Sequence, residues 1–355
     1  MIDRKYPVRN NSTIGTVIVH DSGARQPAFV IFGHKPAVTV AMPVCNGMPW
    51  LPEAMESLLR QTVSDFEILV IVDGGSDSSL AYLRGLRDPR LRVLEQPNAG
   101  VTATLNRLLR ETRTPWMVRQ DADDVSYPQR IERLLEEIRR HPDAGLIYSL
   151  ADYHPRERCA GRFRCSRGTP GELRSIVERG YLLSICHSTA ALHVEKAVAA
   201  GGYRMDIHAE DADLWWRMAR RYPVCFIPQA LVGFRQNAES VSSRNLNQQE
   251  LAGLYVQYLL LSELWHLDAK PLEEVARVLA GLLQPSRIAA KELLRDFNMH
   301  LAERRFAKGG AALLRSLTLS PAYVARRIRD EFRHAAIANG VPPRLFLERK
   351  EALWS

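Results

Sequence analysis

The sequence predicts an α/β protein in which a mixed sheet lies between helices, followed by a helical C-terminal region. Short apolar runs alternate with helical stripes between residues 36 and 150, which is the pattern of repeated βαβ units. From residue 246 onward nearly every segment has helical periodicity. Apolar residues make up 46% of the chain and charged residues 25%, which excludes a disordered protein.

The first 150 residues are expected to contain five strands separated by helices. The run at 37–43 (AVTVAMP) is the first strand, and the run at 66–72 (FEILVIV) is apolar enough to be covered on both faces, as parallel strands are. Pro52 falls in the first turn of the helix between them, predicted over 51–61. The remaining elements are predicted as helices at 78–87, 101–113 and 127–141 and strands at 90–95, 115–120 and 145–150.

A second structured block follows, with the segments ICHST and GGY, the helix AEDADLWWRMARRY and the strand VCFIP. Trp215 and Trp216 are adjacent on that helix and point in different directions, so at least one is expected in the core. Two β-like runs near the N-terminus, TVIVH and AFVIF, predict a β-hairpin without an assigned role. We therefore predict an N-terminal extension at 1–36, a central domain at 37–245 divided at residue 150, and a helical region at 246–355.

Charge and cysteine usage narrow the class of protein. The net charge is +8, and residues 301–350 carry eleven basic against four acidic side chains, so a basic tail follows a nearly neutral body. No nucleic-acid-binding motif accompanies that tail. The five cysteines lack a CxxC pair, which disfavours a zinc site or a disulfide framework. The N-terminus lacks the apolar region of a signal peptide, and we expect a cytoplasmic protein.

Polar residues follow the first four predicted strands, as PVCNG (43–47), DGGSD (73–77), QPNAG (96–100) and DADD (121–124). Ligands of open parallel sheets bind beyond the carboxyl ends of the strands. Each segment alone is also explained by a turn or a helix cap. The three carboxylates of DADD repel one another, and a hard cation such as Mn²⁺ or Mg²⁺ would offset that repulsion.

These segments resemble a known family. The order PVCNG, QTVSDFEILVIVDGGSDSS, NAGVTATLN and RQDADD is similar to the nucleotide-binding half of family 2 glycosyltransferases of bacterial polysaccharide or glycolipid type, which have the GT-A fold. Downstream, ICHSTAALHVEKAVAAGGYR and AEDADLWWRMA resemble the acceptor-side region and the Glu-Asp base motif, and FRQNAESVSS resembles the closing segment. The resemblance runs from about residue 37 to residue 245, so 37–150 would be the nucleotide-sugar-binding half and 151–245 the acceptor half.

The resemblance implies roles for individual residues. Asp211 would be the general base, with Glu210 as the next candidate, and His187 and Thr189 would face the acceptor. Asp123 would bind the metal ion. The donor would be bound by Pro43, Val44, Asn46, Asp73, Gly100, Asn106, Asp121 and Ala122.

Two residues depart from the family pattern. Gly74 stands where the family usually has a second Asp, so Asp73 is expected to recognise the base alone. A carboxylate accepts the N3–H of uracil or thymine, which favours UDP- or dTDP-linked donors. Asn237 stands where a His often completes the metal shell, which makes it a doubtful ligand and predicts a weaker metal site.

The leading hypothesis is an inverting, nucleotide-sugar-dependent transfer onto the hydroxyl of a glycan or a lipid-linked acceptor. A catalytically silent scaffold is the non-enzyme alternative, suggested by Gly74 and Asn237 and opposed by Asp123 and Asp211. A sugar-nucleotide pyrophosphorylase is the other enzyme class, but PVCNG lacks its G-x-G-T-R-L signature. A processive synthase would be expected to carry transmembrane helices.

The stretch LLRSLTLSPAYVARRIRDEFRHA, which begins at Leu313, is amphipathic and leaves two alternatives open. Its apolar residues and arginines suit a helix on an anionic membrane surface, which would place the protein peripherally at the inner face of the cell membrane. The same stripe suits a helix packed on the catalytic domain with a solvated basic face. In that second case Leu313, Leu317, Val324 and Ile328 would be buried.

Overall fold

The computed structural model describes residues 36–155, 161–204, 207, 209–235, 246–332 and 337–355. The predicted N-terminal hairpin and Asn237 lie outside the described residues.

Eight strands form one sheet, and this sheet is mixed, as predicted. They are β1 (Val38–Val44), β2 (Glu67–Asp73), β3 (Leu91–Gln96), β4 (Trp116–Arg119), β5 (Val125–Ser126), β6 (Leu146–His154), β8 (Ala191–His193) and β9 (Val224–Arg235). A separate antiparallel pair joins β7 (Leu182–Leu183) to β10 (Ala338–Asn339). The order in the large sheet is β3-β2-β1-β4-β8-β6-β9-β5. Strands β1 to β4 are parallel, whereas β8 runs antiparallel to β4 and β6, and β5 runs antiparallel to β9.

Seven helices accompany this sheet in the described part of the central domain. They are α1 (Leu51–Leu59), α2 (Ser79–Gly85), α3 (Val101–Glu111), α4 (Arg130–Arg140), α5 (Pro170–Glu178), α6 (Val194–Ala199) and α7 (Glu210–Arg221). The predicted elements up to residue 150 are all present, with ends displaced by a few residues. The largest difference is β6, which continues to His154 because it pairs with the long β9 over its whole length.

Alternate residues of the strands feed an apolar core on each face of the sheet, as the period of two requires. Val40 and Val70 belong to the core that includes Met55 of α1, while Ala41 and Leu69 belong to the core on the opposite face. The second core also contains Trp215 and Trp216, each 1% exposed. Both tryptophans are therefore in the core, where at least one was expected, because α7 is covered on both sides.

The C-terminal region is helical, as predicted, apart from the short β10. Its helices are α8 (Leu246–Leu264), α9 (Leu272–Ala280), α10 (Pro285–Ala302), α11 (Phe306–Leu319), α12 (Pro321–Phe332), α13 (Arg344–Leu347) and α14 (Lys350–Trp354). Tyr258 of α8, Leu279 of α9 and Phe346 of α13 join the same core as α7. These helices are consequently part of the main body.

Helices α10 to α12 have a small core of their own. Tyr323 and Val324 pack on Ala290 of α10, whereas Leu317 is 37% and Ile328 51% exposed. If the stretch packed on the catalytic domain, Leu317 and Ile328 were predicted to be buried, but both are exposed. Across the described ranges, the chain has no helix whose length and apolar character would allow it to cross a membrane.

Candidate active site

Asp73 ends β2 and holds the loop between β3 and α3. Its carboxylate is 3% exposed and accepts hydrogen bonds from Gln96 Nε2 (2.6 Å), the backbone N–H of Ala99 (2.8 Å) and that of Gly100 (3.0 Å). Gly100 has φ +86°, a conformation that favours glycine. Because Oδ1 accepts two of the three bonds, Oδ2 retains an acceptor position for a ligand.

Asn46 connects the loop after β1 to the loop after β2 by hydrogen bonds. Its Oδ1 accepts from the backbone N–H groups of Ser76 (2.8 Å) and Asp77 (3.3 Å). Gly74, the departure from the family pattern, has φ +67°, and a Cβ there would lie 3.0 Å from the Cβ of Asn98. The close approach of these loops therefore explains why a glycine stands where the family usually has Asp.

The other predicted donor residues of these loops differ in accessibility. Asn106 exchanges two hydrogen bonds with the backbone of Tyr203, through Nδ2 (2.7 Å) and Oδ1 (3.0 Å). Val44 is 1% exposed and its side chain is in the core, while Pro43 and Ala122 are half-buried. The side chains of Asn106 and Val44 thus hold the fold, and their predicted contact with the donor stays a prediction.

Asp121 follows β4 and is held in its ionised form. Its Oδ1 accepts from Arg119 Nη2 (2.5 Å) and its Oδ2 from Ser188 Oγ (2.7 Å). Burial raises the pKa of Asp121, but the charge of Arg119 and these hydrogen bonds outweigh it and bring that pKa to about 2. Asp121 therefore supplies a fixed negative charge at the end of β4.

The pKa values of Asp123 and Asp124 are raised, whereas that of Asp121 is lowered. Burial, followed by the charge of Asp121, raises the pKa of Asp123 to about 6. The same two causes raise the pKa of Asp124 well above its usual value. Oδ1 of Asp124 accepts from the backbone N–H of Arg235 (2.8 Å), and Oδ2 has no hydrogen-bond partner among the described residues. Ionisation of these two carboxyl groups is therefore opposed at this loop.

Two buried arginines donate hydrogen bonds at the acidic loop, Arg119 to Asp121 and Arg130 to Gln120. Arg119 is 1% exposed and Arg130 is fully buried. Arg130 donates to Gln120 Oε1 (2.6 Å) and Ser126 Oγ (2.8 Å), and burial lowers its pKa to about 10. A basic residue inside the apolar run PWMVRQ is a sequence signal that could have identified Arg119, whereas Arg130 looks like an ordinary helix residue.

His187 joins β4 to the acceptor half. Its Nε2 lies 3.1 Å from Arg119 Nε and 3.0 Å from the hydroxyl of Tyr203, and both groups donate to it, so we assign the ring proton to Nδ1. Burial and the charge of Arg119 lower the pKa of His187 to about 3. Thr189 is fully buried and its hydroxyl donates to the carbonyl of Cys186 (2.7 Å). A role for either residue at the acceptor stays a prediction.

Glu210 and Asp211, the two candidates for the general base, are the first residues of α7. Burial, followed by the charge of Asp211, raises the pKa of Glu210 to about 7, and burial raises the pKa of Asp211, whose Oδ1 accepts from the backbone N–H of Ala212 (2.6 Å). The charge of Asp121 contributes to both shifts, so the two acidic groups lie within electrostatic reach of each other. The neighbouring Asp213 is fully buried and paired with Arg217 (2.5 Å).

A divalent cation fits this site only in part. The raised pKa of Asp123 and the unpartnered oxygen of Asp124 mark charge that a cation would neutralise. The described ranges contain no group of three or more His, Cys, Asp or Glu side chains set to hold a metal ion. Any metal site here therefore depends on few protein ligands.

The chain is similar in sequence to known glycosyltransferases. Residues 39–197 match the glycosyl transferase family 2 model. The chain is 35% identical to the uncharacterized glycosyltransferase EpsJ of Bacillus subtilis over 108 residues, which are 30% of this chain and 31% of EpsJ. It is 26% identical to the amylovoran biosynthesis glycosyltransferase AmsE of Erwinia amylovora over 201 residues, 55% of this chain and 73% of AmsE.

The fold is shared with a solved structure, that of S. aureus TarS (residues 1–349) in complex with UDP-GlcNAc. The TM-score is 0.54 at 15% identity, covering 81% of this chain and 92% of that one. The match to EpsJ spans less than a third of that relative. The chain is thus similar to glycosyl transferase family 2 over residues 39–197, and its mixed sheet between helices is the GT-A fold.

Proposed function

We propose that this chain transfers a sugar from a UDP- or dTDP-linked donor to an acceptor hydroxyl, with inversion, in the biosynthesis of a surface polysaccharide or glycolipid. The observation that carries the proposal is that two acidic groups, one after β4 and one at the start of α7, have pKa values shifted in opposite directions. Asp121 has a pKa of about 2, while the pKa of Glu210 is about 7. Environments that separate such values are characteristic of acid–base sites.

The donor end is formed by the loops after β1 to β4. The free acceptor position on Asp73 suits the N3–H of uracil or thymine, and Asp121 stays ionised near the sugar. Asp123 would hold Mn²⁺ or Mg²⁺, with Asn237 as a doubtful partner. When bound, such an ion supplies positive charge next to the leaving diphosphate. The UDP-GlcNAc complex of TarS supports a nucleotide sugar as donor.

At the acceptor end Asp211 takes the proton of the attacking hydroxyl. The acceptor oxygen forms a bond to the anomeric carbon while the bond to the diphosphate breaks on the opposite face, which inverts the configuration. Burial raises the pKa of Asp211 and so makes it a stronger base than an exposed carboxylate. Glu210 is the alternative base.

The acceptor is a glycan or a lipid-linked sugar, and in the second case the enzyme acts at the inner face of the cell membrane. The similarity to AmsE, an amylovoran biosynthesis enzyme, supports a polysaccharide product. The alternative of a silent scaffold loses part of its motivation, because Gly74 is explained by its approach to Asn98.

A donor screen tests the proposal. Purified protein with Mn²⁺ or Mg²⁺ is given UDP-, dTDP- and GDP-linked sugars, and released nucleotide is measured, with Asp211→Asn as the matched inactive control. We expect release from a uracil or thymine nucleotide that stops on addition of EDTA. Tight binding of GDP without affinity for UDP would contradict the assignment of Asp73. Binding of a donor without release, with every acceptor offered, would support the silent scaffold.

A further inference from the structure

A basic pocket lies between α10 and α12, on elements that the proposed reaction does not use. Its volume is about 450 Å³, and its polar lining consists of Gln284, Arg287, Ser320, Tyr323, Arg326 and Arg329. Among the residues whose side chains are described, no carboxylate lines it. The described lining therefore brings together three positive charges.

The three guanidinium groups are available for a ligand. Among the residues that the structure describes, Arg287, Arg326 and Arg329 make no ion pair or side-chain hydrogen bond. Arg287 is half-buried, and its Cζ lies 5.5 Å from the centre of the Tyr323 ring, which orients its side chain over α12. Arg326 and Arg329 are one turn apart and so share a face of α12.

The backbone adds to this positive potential. Gln284 directly precedes Pro285, the first residue of the 18-residue α10, and Ser320 precedes Pro321, the first residue of the 12-residue α12. The positive ends of two helix dipoles thus reach the same pocket as the arginines. Tyr323 and Val324 pack on Ala290 and fix the distance between the two helices.

We propose that this pocket binds a phosphate group. Arginine presents its N–H donors in a planar fork that matches two phosphate oxygens, and three such groups around one cavity suit a phosphomonoester or a diphosphate. The phosphate comes either from an anionic lipid headgroup or from a water-soluble phosphate compound. Ile328, on the same helix as Arg326 and Arg329, is 51% exposed and would offer an apolar side chain to a lipid surface.

Isothermal titration calorimetry of the full chain with inorganic pyrophosphate tests the site, with EDTA present to exclude divalent cations. The variant R287Q/R326Q/R329Q removes the three charges of the pocket. The matched control R277Q/K308Q/R315Q removes three charges from exposed positions on α9 and α11. At about a fivefold loss per arginine, we expect the pocket variant to bind roughly a hundredfold more weakly, and the control to bind almost as tightly as the wild type.

Flotation with vesicles identifies the source of the phosphate. Phosphatidylcholine vesicles with and without one fifth phosphatidic acid are offered to the same three proteins. Binding to the acidic vesicles that the pocket variant loses and the control keeps supports a lipid headgroup. Pyrophosphate binding without vesicle binding supports a water-soluble ligand.

Two results would overturn the proposal. One is the absence of binding to both probes by the wild type, and the other is equal loss in the pocket variant and the control. Thermal unfolding followed by circular dichroism checks that both variants fold. The single variant R326Q, with an expected loss of about fivefold, keeps the test open if the triple variant unfolds.

Discussion

Two sets of polar residues lie at the same end of the sheet and differ in how their atoms are satisfied. Asp73, Asn46 and Asn106 make hydrogen bonds to neighbouring loops, although Oδ2 of Asp73 keeps one acceptor position. Asp123 and Glu210, in contrast, have pKa values of about 6 and about 7, because burial and a neighbouring carboxylate oppose their ionisation. The first set, here called the loop-holding set, stabilises the fold. The second set consists of Asp123, Glu210 and Asp211, and burial destabilises the ionised form of each.

This difference separates residues that stabilise the fold from residues that we expect to take part in the reaction. A carboxylate that accepts several N–H bonds gains stability, whereas a buried carboxylate beside another one costs stability when ionised. Residues of the second kind are retained where their charge is used. The following substitutions test this distinction, from the largest expected effect to the smallest.

Asp211→Asn is expected to lower sugar transfer by ~10²–10⁴-fold, the usual contribution of acid–base catalysis. The amide keeps the shape of the side chain and cannot accept the proton, so donor binding measured by calorimetry should scarcely change. Wild-type turnover should fall as the pH falls through the raised pKa of the base, because only its ionised form accepts a proton. Glu210→Gln is the matched control, and a larger loss in that variant would transfer the role of base to Glu210.

Asp73→Ala is expected to lower the free energy of unfolding by about 3 kcal/mol, since it removes an acceptor of three hydrogen bonds. Urea denaturation measures the change. Asp73→Asn should lose less, because its Oδ1 still accepts from Ala99. A loss below about 1 kcal/mol in the alanine variant would remove Asp73 from the loop-holding set.

Asp123→Asn is expected to raise the free energy of unfolding by about 3 kcal/mol at pH 8 without divalent cations. The folded pKa of Asp123, about 6, lies above its ordinary value of 3.8, so the folded state binds the proton more tightly than the unfolded state. Wild-type stability therefore falls as the pH rises from about 4 to about 6, and the gain in the variant should vanish below pH 4.

Asp121→Asn is the matched control for that measurement. The pKa of Asp121 is lowered from 3.8 to about 2, so its ionised form stabilises the fold above pH 4, and this stability is lost as the pH falls toward 2. The variant should be less stable than the wild type at pH 8. A gain in stability at that pH would contradict the ion pair with Arg119.

Tyr203→Phe is expected to have the smallest effect, a loss of about 1 kcal/mol, because it removes one hydrogen bond to His187 and leaves the ring packing in place. Turnover should stay within a few-fold of the wild type. A loss of turnover as large as that of Asp211→Asn would show that Tyr203 belongs to the chemistry.

The sequence predicted the large elements and the strand-end loops well, because their signals are local. Strands β1 and β2 are continuous apolar runs, and DADD lies directly after β4. The sequence did not indicate β5, β7 or β8, which have two or three residues each and owe their existence to pairing with distant partners. It did not distinguish Asn106, which is bound to the backbone of Tyr203, from a residue free to reach a donor.

By itself the sequence determined the longer strands and helices in their order, the resemblance to glycosyl transferase family 2 and the position of the acidic loop. These follow from periodicity and from residues close together in the chain. Only the tertiary structure decided the charge states of the site. Arg119 and Ser188 lower the pKa of Asp121, and burial raises the pKa of Asp123 and Glu210. Ser188 is 67 residues from Asp121 in the chain, and burial depends on how distant elements pack, so local sequence patterns do not report these causes.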